Sequence, residues 1–141
     1  MPYREKTAWL YLIAVALTFG PYFALVASGA VPEAPLPNLR MMGLYAAVAC
    51  AQMLILLVGH LVLRRAAPED ARTPPDERDR AIQARALNAG YSVLILGMIL
   101  VGGIMPFVSA GWTIVNTTIF LIASAEVIRS CVTVVAYRRQ S

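Results

Sequence analysis

One polar stretch, residues 64–91, interrupts a chain that otherwise consists of four long apolar blocks, and this layout decides the solvent in which the chain folds. The stretch reads RRAAPEDARTPPDERDRAIQARALNAGY and holds six of the twelve Lys/Arg and five of the eight Asp/Glu. The apolar blocks are about 20 residues or longer, the length an α-helix needs to cross a bilayer. Charged residues make up only 14% of the 141 positions, against about 25% in a soluble domain. The bilayer, rather than a self-made core, is therefore the environment to reason with.

The blocks predict an all-α fold: an integral membrane bundle of four transmembrane helices at about 7–30, 39–63, 82–107 and 112–137, with a polar loop at about 64–81. Arg4 and Lys6 precede the first span, and Trp9 and Tyr11 suit an interfacial belt. A cleaved signal peptide is the rival reading of this span, but its apolar region exceeds the about 7–15 residues such signals use. Gly20 and Pro21 predict a kink in mid-span. Pro32, Pro35 and Pro37 keep 31–38 out of regular helix. Small residues in the second span (Ala46, Ala47, Ala49, Cys50, Ala51) allow close helix approach.

Residues 64–70 should turn the chain back. Thr73 is then expected to cap a helix that starts near Pro75 and runs through the membrane to about Phe107. Asp76, Glu77 and Asp79 would lie near its positive dipole end, with Asp76 and Arg80 spaced as an i,i+4 pair. Gly90, Gly97, Gly102 and Gly103 weaken this helix alone but suit tight packing. The short connection 108–111 makes the last two spans an antiparallel hairpin.

Orientation follows from charge. The N-terminus, the polar stretch and the C-terminus together carry ten of the twelve Lys/Arg, and the other two loops carry only Arg40. By the positive-inside rule both termini and the polar stretch face the cytoplasm. The net charge of +4 is thus a topology signal, and no direct contact with nucleic acid is expected. Cys50 and Cys131 lie inside apolar blocks, outside any metal-ligand spacing, and read as small buried hydrophobes.

The residues that could carry chemistry are polar groups inside the spans. Glu126 and Arg129 interrupt the fourth. At ~1.5 Å per residue, they lie ~16 Å and ~12 Å in from Tyr137, which puts Glu126 near the midplane of a ~30 Å hydrocarbon core. Ile119, Ala123, Glu126, Ser130 and Thr133 form one stripe, with Arg129 at its edge. Two readings stand side by side. In one, Arg129 neutralises Glu126 and the pair locks the helix. In the other, the carboxylate is a proton, cation or ligand site, since intramembrane ionisable groups are functional by default. An arginine three residues away makes Glu126 a poor proton carrier. Gln52, ~18 Å in from Arg64, is level with Glu126 and is expected to hydrogen-bond to it.

In the inner third, His60 reads more readily as an interfacial hydrogen-bonder than as a ligand, and Asn88 and Ser92 are an i,i+4 pair. No second histidine or level cysteine completes a metal site. The run Asp76, Glu77, Arg78, Asp79, Arg80 lacks a glycine loop or a nucleophile–base pair, so it reads as a capped, solvated helix start. Docking to a cytoplasmic partner or to lipid head groups is the alternative reading of that run. Neither a metal nor a cofactor is expected.

One resemblance rests on residues 75–91, PDERDRAIQARALNAGY, leading straight into an apolar span. This segment resembles a class of uncharacterised small bacterial four-span inner-membrane proteins, in which a D-E-R-like motif precedes the third transmembrane helix. Some members of that class are thought to sit beside small DNA-binding regulators. The resemblance implies a membrane-bound sensor or sequestering partner and carries over no catalytic residue. The expectation is therefore a non-enzymatic, multi-pass protein of a bacterial inner membrane that packs with itself and presents 73–85 to a cytoplasmic protein. A small oligomeric transporter of ions or small solutes using Glu126 is the alternative. Small four-span drug exporters carry their essential carboxylate in the first span, which here holds no charge.

Overall fold

The computed structural model of the chain describes residues 2–31, 35, 37–109 and 111–139, and no strand occurs among them. Helix α1 spans Tyr3–Ala27, α2 Leu39–Ala66, α3 Pro68–Arg72, α4 Glu77–Ile99, α5 Met105–Val108 and α6 Trp112–Arg138. A π-helical turn, Leu100–Ile104, joins α4 to α5, so Glu77–Val108 is one unbroken rod of 32 residues. Four of these segments are long and apolar enough to cross a membrane: Tyr3–Ala27, Leu39–Ala66, Glu77–Val108 and Trp112–Arg138.

A long apolar helix stands where each of the four spans was expected, with ends that move for identifiable reasons. α1 starts at Tyr3, four residues before the apolar block, because its first turn makes polar contacts described below. Pro21 lies inside α1 without ending it. Pro32, one of the three prolines predicted to bar helix from 31–38, lies outside the described residues. Asn38 caps α2, its side chain accepting from the Met41 N–H at 3.2 Å, one of the donors a helix start leaves open. Residues 64–70 are not a simple turn: α2 continues to Ala66 and the five-residue α3 follows.

Thr73 does not cap the next helix. It ends α3, its hydroxyl donating to the Glu69 carbonyl at 2.9 Å. Pro74 and Pro75 push the residues before them toward extended backbone, so the first residue free to cap is Asp76. Its carboxylate accepts from the Asp79 N–H at 2.6 Å. The π turn sits just ahead of Pro106, a residue that has no N–H to give and crowds the preceding turn of a regular helix. A wider turn at Leu100–Ile104 accommodates it.

α2 packs along α1, α1 along α6, and α6 along α4. α1 and α6 are thus the inner pair, and α2 and α4 flank them. Glycines set the α4–α6 approach: a Cβ on Gly90 would sit 3.1 Å from the Ala125 carbonyl oxygen and 3.2 Å from Arg129 Cβ. At the end distant from the termini, Tyr22 is almost fully buried and donates its hydroxyl to Asn116 Oδ1 at 2.7 Å, joining α1 to α6. Phe23 packs edge-on against Phe120 at 5.2 Å in the same seam. The two cysteines are free thiols, but both side chains lie on the outer surface. They are not buried in the bundle, as the sequence suggested.

Candidate functional site

Two charged assemblies lie in the bundle, one at the end that carries the termini and one farther along α6. The first gathers the start of α1, the start of α4 and the end of α6. Arg4 Nε lies 3.0 Å from Asp79 Oδ2, and the Tyr137 hydroxyl donates to Asp79 Oδ1. Arg4 also reaches the Thr73 carbonyl at 3.4 Å. Beside this cluster, buried Glu5 faces Arg138 at 3.6 Å, and the Arg138 guanidinium lies 5.3 Å from the centre of the Trp9 ring. Three helices are therefore fastened at one end by charge-assisted contacts, the stronger class of hydrogen bond.

This divides the Asp76–Arg80 run. Asp76 is spent as a cap and Asp79 turns inward and is half-buried, while Glu77, Arg78 and Arg80 are exposed. The expected Asp76–Arg80 ion pair is not formed among the described residues; the Asp76 carboxylate accepts from the Asp79 N–H. A cleft of about 170 Å³ lies between the start of α1, at Pro2, Tyr3 and Arg4, and the α3 region, at Asp70, Thr73 and Pro74.

The second assembly is the Glu126–Arg129 pair. Arg129 Nη2 donates to Glu126 Oε2 at 2.6 Å and Nε donates to the same oxygen at 3.1 Å. Both side chains are partly open, Arg129 at 33% and Glu126 at 43%. Of the predicted stripe, Ile119, Ala123 and Ser130 are buried, and Glu126 and Thr133 are half-buried. Arg129 sits over the face of Tyr11 at 5.3 Å, a cation–π contact. Tyr11 in turn meets His60 edge-on at 5.8 Å. Tyr11 thus stands between His60 of α2 and Arg129 of α6.

Gln52 does not join Glu126. Its Oε1 lies 2.6 Å from the Thr18 hydroxyl of α1, which also lies 2.8 Å from the Ala14 carbonyl and shares its single proton between the two acceptors. The cause is the packing order: α1 stands between α2 and α6, so a polar group on the inner face of α2 meets α1 first. Asn88 and Ser92 are exposed, and Ser92 donates back to the Asn88 carbonyl at 2.8 Å rather than to another helix. Among the described residues, no three His, Cys, Asp or Glu side chains converge as a metal centre would require.

Sequence reading missed Arg4, Tyr11 and Tyr137, and it missed the Tyr22–Asn116 bond. A signal existed for the first: Arg4 and Asp79 are opposite charges at helix starts that the topology brings to the same end. Nothing in the spacing shows which tyrosine faces inward. No protein-family model, curated protein or solved structure matches this chain.

Proposed function

We propose that this is a non-enzymatic, multi-pass protein of a bacterial inner membrane, with both termini cytoplasmic, that presents the start of α4 to a cytoplasmic protein. The observation that carries this reading is the split fate of one helical turn. Asp79 is held by Arg4 and Tyr137, while Glu77, Arg78 and Arg80 beside it remain exposed. A charged face fixed in place loses little conformational entropy on docking. The placement draws on the arginine distribution and on four helices long enough to span. The resemblance of 75–91 to four-span proteins that neighbour DNA-binding regulators supports a regulatory partner.

The transporter reading draws on one fact, the partial exposure of Glu126. The arginine held at 2.6 Å opposes it, because a carboxylate with a permanent counter-charge has little left to offer a transported cation. The test is a photo-crosslinking residue placed at Glu77 in living bacteria. The proposal expects a discrete protein adduct there and none from the same residue placed at Leu39, at the opposite end of the bundle.

A further inference from the structure

A groove of about 370 Å³ lies among the four long helices near the terminus-bearing end. Each contributes a polar group: Tyr11 from α1, His60 from α2, Gln83 from α4, and Arg129 and Thr133 from α6. The lining also includes Arg4 and contains no carboxylate among its described residues. Asp79 and Glu126 grip Arg4 and Arg129 from outside the lining, so the charged groups that line the open space are guanidinium groups.

Arg129 is the centre of this arrangement. Glu126 occupies its Nε and Nη2, and Nη1 donates to no protein acceptor among the described residues. Tyr11 holds the guanidinium plane from one side and places His60 on its own far side. Arg129 is ~12 Å along the helix from Tyr137, a depth at which hydrocarbon offers no hydrogen-bond acceptor. α2 packs along α1 and α4 along α6, and α2 and α4 make no extensive contact with each other.

We infer that this groove is a binding site for an oxyanion headgroup, phosphate or carboxylate, with an acyl chain leaving between α2 and α4. A cation would meet two arginines and no carboxylate. A neutral headgroup would leave the Nη1 donors unanswered at a depth where each unmade bond is costly. An oxyanion meets fixed, planar donors suited to it. The inference rests on the membrane placement proposed above and not on the cytoplasmic partner.

The test is native mass spectrometry of the purified full-length protein in detergent, given equal amounts of phosphatidylglycerol and diacylglycerol, which lacks the phosphate, with the same acyl chains. Wild type should retain phosphatidylglycerol several-fold over diacylglycerol. The charge-balanced variant Glu126→Gln with Arg129→Leu should lose that preference. His60→Phe, which keeps a ring against Tyr11 and so guards against a folding defect in the double variant, should reduce it. Arg139→Gln, an exposed arginine outside the groove, should leave it unchanged. Excess inorganic phosphate that displaces the lipid assigns the site to soluble oxyanions; persistence of the lipid assigns it to membrane lipid. Equal retention of the two lipids by wild type overturns the inference. So does a preference that survives in both groove variants, or one that Arg139→Gln abolishes.

Discussion

Arg4 in the first turn of α1 and Asp79 in the first turn of α4 form an ion pair at 3.0 Å, and the Tyr137 hydroxyl at the end of α6 donates to the same carboxylate. One half-buried aspartate thus joins the three helices that pack in sequence as α1, α6 and α4. Tyr137→Phe removes a charge-assisted hydrogen bond, worth about 1.5–3 kcal/mol. Thermal melting in detergent should show a clear drop. A melting temperature equal to wild type would mean that the bond contributes nothing to the fold.

The α4–α6 seam makes a different demand. A Cβ at Gly90 would press on the Ala125 carbonyl at 3.1 Å, and backbone cannot step aside as a side chain can. Gly90→Val should destabilise by about 1–3 kcal/mol, the usual range for overpacking. Gly97→Ala should be milder, because the atoms it meets are the end methyls of Leu121. A reversed order of the two melting temperatures would contradict the seam as described.

The four helices were legible in the sequence because span length is set by bilayer thickness and apolar runs reveal it directly. The pairing was legible too: Glu126 and Arg129 pair as their i,i+3 spacing suggests. Azimuth and neighbour order were not. Gln52 is level with Glu126 by counting, yet it meets Thr18, since nothing in the spacing says that α1 stands between α2 and α6. The helix start moved from Thr73 to Asp76 because two adjacent prolines separate two plausible caps, and their restriction of the preceding backbone decides between them.

Glu126→Gln leaves Arg129 without its counter-charge, and Arg129→Leu does the same to Glu126. Each single change should destabilise by about 1–3 kcal/mol, less than the ~3–5 of a fully buried pair, because both groups are partly open. The double change should recover much of the loss. Melting of the three variants in detergent tests this, beside proton-driven flux in vesicles. Stable single variants would sink the structural pair, and flux that wild type shows and Glu126→Gln abolishes would favour the transporter.

Topology has its own check. Reporter fusions at Ser141 and within 66–73 should both report cytoplasm, since each lies beside an arginine cluster. A periplasmic signal from either reverses the orientation on which the partner proposal depends.

The most direct measurement is adduct yield from a photo-crosslinking residue at Glu77 in living bacteria, compared between wild type and Arg4→Gln. Arg4 touches Asp79 and the Thr73 carbonyl and so fastens the start of α4. If a partner reads that fastened face, wild type yields one discrete protein adduct, and Arg4→Gln reduces it several-fold at equal membrane abundance. No adduct in wild type, or an equal yield in the two, contradicts the account.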